Sequence, residues 1–314
     1  MVGVALPAAS DAPRRQQVRE RALAWRLGRF VGERFPPASY GTLTLALVLC
    51  GQASAALASR EDIGSWWILG GTVIAALLVF LQLRIVDDLR DAPVDRSARP
   101  ERPLPRGLVT ERELLALAVA CGLAGCAIAA ALGPAALVCC GLAVAQVWVL
   151  DPRGRGGTPA SGRLLSSALS HSLIVPTVLA LAWAASTPLS GNPQLVGAFL
   201  VAWGVGLALE VGRKTVAPEQ ERPGIATYSA AFGRPLALAV VGLFLAVAAA
   251  GDALLGLASG APVALALLPG AFVGAFGLGV LLVPERLSTR VLRTLVPLSV
   301  LGLLLWPLVL TWAL

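Results

Sequence analysis

TVIAALLVFLQLRIVDDLRDAPVD, residues 72–95, runs from an almost wholly apolar segment (72–86) straight into four aspartates: Asp87, Asp88, Asp91 and Asp95. An apolar run of that kind has the length and chemistry of a bilayer-spanning helix, which takes about 20 residues. Acids at the end of such a run are costly and usually functional. Asp87, Asp91 and Asp95 follow at i, i+4 and i+8, so on a continuous helix they share one face and repel one another. Divalent cations reverse the sign of that repulsion. Mg²⁺ binds through one or two carboxylates, keeps water, and shares the phosphate oxygens of a substrate. Arg84, Arg90, Arg99, Arg102 and Arg106 lie close in sequence. Carboxylates for metal and arginines for phosphate together describe a diphosphate site. Pro93 disfavours helix at Ala92 and predicts a bend ahead of Asp95. The competing reading, a solvated loop whose charges neutralise each other, does not explain acids that begin while the apolar span is still running.

The rest of the chain agrees with a membrane setting. Of its 314 residues 57% are hydrophobic and 14% charged, with a mean hydropathy of +0.78. A soluble domain carries roughly 25% charged residues. Nine apolar runs are predicted to span the membrane, near 40–58, 64–86, 113–132, 134–150, 164–186, 194–212, 235–250, 262–283 and 291–313. Residues 36–314 are thus expected to form one all-α transmembrane domain. Residues 1–35 form a cytoplasmic N-terminal segment without the continuous apolar core of a signal peptide. Within it, arginines interleaved with Val18, Leu23, Trp25, Leu27, Phe30 and Val31 predict a basic amphipathic helix over 17–34, lying on the membrane surface.

Nine spans divide the polar loops into two sets. All the lysines and arginines except Arg60 fall in one set, together with the N-terminus. By the positive-inside rule that side, and the N-terminus, are cytoplasmic. The net charge of +7 then reflects attraction to anionic lipid. Basic residues that rim membrane spans make no nucleic-acid-binding face. Cys50, Cys121, Cys126, Cys139 and Cys140 all lie in apolar spans and act as small hydrophobes, so neither disulfides nor a zinc site is expected. The sequence assigns no oligomeric state.

A second cluster, EVGRKTVAPEQERPGIATYSAAFG (residues 210–233), closes the sixth span. Glu210, Glu219 and Glu221 are candidate metal ligands; Arg213, Lys214 and Arg222 are candidate diphosphate-binding cations. Glu210 and Lys214, at i and i+4, equally make a simple surface ion pair. His171 is the chain's one histidine and lies in a predicted span, where an interhelical hydrogen bond is its default role.

At these two stretches the sequence resembles the UbiA superfamily of intramembrane prenyltransferases. That family carries Asn/Asp-Asp-x-x-Asp-x-x-x-Asp at the end of its second helix, then Arg-Pro-Leu and a glycine. Here Asp87, Asp88, Asp91 and Asp95 fall on the acidic positions, and Arg102, Pro103, Leu104 and Gly107 on the following signature. The resemblance covers the chain from about residue 36. It implies a bundle of nine helices, Mg²⁺ as cofactor, an isoprenoid diphosphate substrate, and an active site facing the cytoplasm from a bacterial inner membrane. It carries Mg²⁺–diphosphate binding over to Asp87, Asp88, Asp91 and Asp95. The second motif departs: the common Asp-x-x-x-Asp is replaced by Glu219-Gln220-Glu221, as in a divergent bacterial branch. After the fourth span the family's Tyr/Lys stretch is replaced by VLDPRGRGGTPASGR (149–163). The implied activity is transfer of a prenyl group to an acceptor. The alternative is a terpene cyclase, which some members of the superfamily are. A transporter fits less well, because its acids would be spread through membrane depth, and here they gather at one level.

Overall fold

The computed structural model describes residues 22–149, 164, 168–221, 226–282 and 288–314, and no strand occurs among them. Helix α1 (Leu23–Arg34) precedes α2 (Pro37–Ser59), α3 (Trp66–Ala98), α4 (Glu111–Leu132), α5 (Pro134–Val149) and α6 (Ile174–Ala184). Then come α7 (Pro193–Arg213), the short α8 (Tyr228–Phe232), α9 (Arg234–Ala258), α10 (Val263–Leu282) and α11 (Thr289–Ala313). Six of these, α2, α3, α4, α7, α9 and α11, are long and apolar enough to cross a membrane. Three shorter apolar helical stretches, Pro134–Val149, Ala168–Ala184 and Val263–Ala275, lie among them.

The helix ends follow from their sequences. Thr110 caps α4 and its side chain accepts from the Glu113 N–H at 3.2 Å, while the Glu113 carboxylate accepts from the Thr110 N–H at 2.8 Å. This reciprocal capping box satisfies two donors that a helix start leaves unpaired. Asn192 caps α7 ahead of Pro193 in the first turn. The turn Pro103–Gly107 joins α3 to α4 and needs its glycine, since Gly107 sits at φ +80°.

Helix α3 departs from expectation. The apolar run ends at residue 86, but the helix continues for three further turns and carries all four aspartates on unbroken backbone, with Pro93 inside it. The helical backbone therefore runs through Ala92 and Pro93 to Asp95 without ending. Proline costs one backbone hydrogen bond in a helix interior; here arginine ion pairs on both sides of Pro93, at Asp88 and Asp95, brace the segment.

Helix α9 makes its most extensive packing against α7, and glycines allow it. A Cβ on Gly251 would stand 2.5 Å from the Gly197 carbonyl oxygen; one on Gly204 would stand 2.6 Å from that of Phe244. The two backbones are in direct contact, as small residues permit in membrane helix pairs. Gly251→Leu therefore overpacks the pair and costs about 3 kcal/mol. The thermal midpoint of purified protein in detergent is expected to fall by roughly 5–10 °C. Gly242→Ala, on the same helix but with open space around it, leaves the midpoint unchanged.

Candidate active site

The ends of α3 and α7 meet at one end of the bundle. Arg213, in the last turn of α7, lies within electrostatic range of Asp87 on α3 and of Tyr40 at the start of α2. Its side chain is 60% accessible. Glu210, one turn earlier, holds Arg213 and Lys214 together, at 2.5 Å from each. Tyr40 in turn stacks on Phe35, ring centroids 3.9 Å apart.

The four aspartates have different surroundings. Asp88 is buried, and both of its oxygens have arginine partners. Arg34 lays its guanidinium fork across them at 2.8 and 2.6 Å, and Arg84 donates to Oδ1 at 2.5 Å. Asp95 is buried against Arg102 in a short charge-assisted pair. Asp91 stays 39% accessible, with Arg102 at 4.0 Å. Asp87 faces the cluster around Arg213, and the Nε2 of His171 lies 3.8 Å from its Oδ2. His171 borders a small cavity with Arg90, Gln146 and Ser170.

The remaining arginines of the motif brace the frame. Arg90 donates to the carbonyls of Val147 and Trp148 at the end of α5. Arg106 reaches Glu33 on α1 at 2.9 Å, and its hydrogen bond holds that carboxyl below its usual range.

The second acidic cluster is arranged differently from the first. Glu219 is exposed on a one-turn 3₁₀ helix, Pro218–Gln220. Glu221 accepts from the Thr227 hydroxyl at 2.7 and 2.8 Å and from that of Ser229 at 2.6 Å. Thr227 also caps α8, so Glu221 helps to fix the turn that brings Tyr228 beneath the mouth. There the Tyr228 N–H donates to the Lys214 carbonyl at 3.0 Å and its hydroxyl to the Leu164 carbonyl at 3.1 Å. Arg222 and Gly224, and Asp151, Arg153 and Arg155 of the other loop, lie outside the described residues.

Among the described residues no three carboxylate, imidazole or thiol groups converge closely enough to hold a metal on their own. The donor chemistry still fits Mg²⁺ at Asp87 and Asp91. They are two hard oxygen donors one helical turn apart, with Arg102 4.0 Å from Asp91 and Arg213 in electrostatic range of Asp87, and Mg²⁺ takes its remaining ligands from water and phosphate. The sequence expectation placed Asp88, Asp95 and Glu210 in the same ligand set. In the structure each of these already pairs with one or two cations.

Sequence reasoning missed Arg34, Tyr40 and the proximity of His171 to Asp87. The lone imidazole in an apolar span was the available signal for the last of these. Nothing in spacing points to the first two, which lie about 50 residues from the motif.

Residues 44–293 match the model of the UbiA prenyltransferase family. No curated protein matches the sequence significantly. A solved structure of digeranylgeranylglyceryl phosphate synthase superposes with a TM-score of 0.56 at 14% identity, covering 88% of this chain and 99% of that one. At that identity the likeness speaks for the fold. The family match spans most of the sequence, and the chain belongs to the UbiA prenyltransferase family.

Proposed function

We propose that this protein is a Mg²⁺-dependent intramembrane prenyltransferase that ionises an allylic isoprenoid diphosphate and transfers the prenyl group to an acceptor. In this reading nine helices span a bacterial inner membrane, the N-terminus is cytoplasmic, and the site opens to the cytoplasm. The observation that carries it is that Arg213, at the cationic end of α7, lies within electrostatic range of Asp87, at the aspartate-rich end of α3.

The diphosphate would lie between these helix ends with its tail among the apolar spans. Asp87 and Asp91 would hold Mg²⁺, which supplies positive charge to the diphosphate oxygens. Arg213, Lys214 and Arg222 are the cations that would neutralise the leaving group; Arg102 would add to them from its place on Asp95. When the allylic C–O bond breaks, its electron pair departs with the diphosphate. Fixed cations pre-arranged at that point stabilise the separating charge without reorganisation. The apolar span interior keeps water from the allylic cation. The acceptor's nucleophile forms the new bond and loses a proton. Glu219 and Glu221 are the remaining candidates for a second metal position, in the role the superfamily gives its second acidic motif.

Purified protein given Mg²⁺, a series of prenyl diphosphates and a lipid extract tests this reading. Diphosphate release that requires both Mg²⁺ and acceptor is expected, and chelation by EDTA should abolish it. A cyclic hydrocarbon or terpene alcohol formed without acceptor would replace transfer by cyclisation. Divalent-cation uptake into vesicles with no turnover would make the protein a transporter. Asp87→Asn and Asp91→Asn should each lower turnover by at least about 100-fold, the size of effect seen when one element of an electrostatic site is removed. Because the Asp91 side chain is 39% accessible and its Arg102 neighbour stands off at 4.0 Å, its variant should keep the wild-type thermal midpoint.

A further inference from the structure

Helix α1 is fastened to the mouth of the site at three points. Arg26, buried, places both guanidinium arms on Glu113 at the start of α4, at 2.9 and 2.6 Å. Glu33 receives Arg106 from the Pro103–Gly107 turn. Arg34 in the last turn forks onto Asp88. Phe30 is fully buried between these ties, while Leu23, Trp25 and Arg29 stay on the outer face. The helix therefore touches the α3 end, which carries Asp87 and Asp91, the turn that follows it and the α4 start.

We infer that Asp88, although it sits within the aspartate motif, is a positioning residue: it receives Arg34 of the N-terminal helix, and this latch sets the register of the neighbouring Asp87 and Asp91. The inference rests on the metal–diphosphate reading above. A buried carboxylate whose two oxygens serve two guanidinium groups has little capacity left for a metal. Breaking a buried pair leaves an uncompensated charge, so the two residues operate as a unit. Arg34 bonds from outside the motif, and Asp87, Asp88 and Asp91 lie within one turn of each other on continuous helix, so displacing Asp88 displaces its helical neighbours.

The test uses full-length protein with Mn²⁺ and inorganic diphosphate as probes, binding being read by the paramagnetic resonance of free Mn²⁺. Asp88→Asn and Arg34→Gln should each weaken Mn²⁺ binding at least about tenfold, the usual effect of removing a group that orients a metal ligand. The double variant should be no weaker than either single one. Arg34→Lys, which keeps the charge but not the fork, should fall between wild type and Arg34→Gln, and it serves where the glutamine variant does not fold. Limited trypsin digestion gives a readout without metal: cleavage after the exposed Arg29 should accelerate in both variants. Loss of Mn²⁺ binding in Asp88→Asn but not in Arg34→Gln would make Asp88 a ligand and overturn the inference. Unchanged Mn²⁺ binding in both, with faster cleavage, would reduce the latch to a structural tie. Wild-type protein that binds no Mn²⁺ with diphosphate would instead overturn the metal reading beneath it.

Discussion

Ionised carboxylates at the end of a bilayer-length helix need cations, and the mouth of this bundle is organised around that need. A carboxylate and a guanidinium in a partly desolvated setting form short, directional pairs with defined geometry. Such pairs add modest stability once desolvation is counted, but removing one partner is expensive. They therefore act here chiefly to specify arrangement. Asp88 locates α1 through Arg34, Asp95 locates the Pro-rich turn through Arg102, Glu113 locates α1 through Arg26, and Glu210 gathers Arg213 and Lys214. The ends of α1, α3 and α4 and the turn after α3 are thus tied together at one place by charge.

That use of arginine separates the acids into two kinds. Asp88 and Asp95 are buried beneath guanidinium groups, whereas Asp91 remains 39% accessible and Asp87, 14% accessible, lies within electrostatic range of Arg213. A metal bound between water and phosphate needs carboxylates that solvent and substrate can reach. Motif spacing does not distinguish these cases, because all four residues are aspartates at the end of one apolar run. What differs is their partners, and those come from α1 and from the turn after α3.

How much was legible in the sequence follows the same division. The apolar runs coincide with helices because burial in lipid imposes a length and a composition that a local window records. The capping box at Thr110 and Glu113 and the turn glycine at 107 are local signals too, though no expectation of local structure drew on them. The continuation of α3 through Pro93 was not legible. Proline's local cost argues for a bend, and the ion pairs bracing the helix on either side depend on residues at positions 34, 84 and 102. The His171–Asp87 proximity and the place of Tyr40 depend on how α2, α3 and α6 pack, and no local pattern carries that. In the second cluster, Glu219 and Glu221 looked alike in sequence. One is exposed and the other is bound by two hydroxyls from a helix start six to eight residues on.

Placement of the cationic half depends in turn on the glycines of α7. Arg213 and Glu210 lie at the end of a helix whose other surfaces meet α9 backbone to backbone at Gly197 and Gly204. Close contact of this kind leaves little freedom to slide or rotate, since any shift brings carbonyl oxygens against main-chain atoms. Gly212, one residue before Arg213, lies against Val296 of α11, where even a methyl group would stand 3.2 Å from a valine carbon. The charged end of α7 is thus set by packing, while the aspartate-bearing end of α3 is set by ion pairs to α1 and the following turn. Of the two halves, the one held by charge is the easier to displace. That makes the N-terminal helix a determinant of the site's geometry.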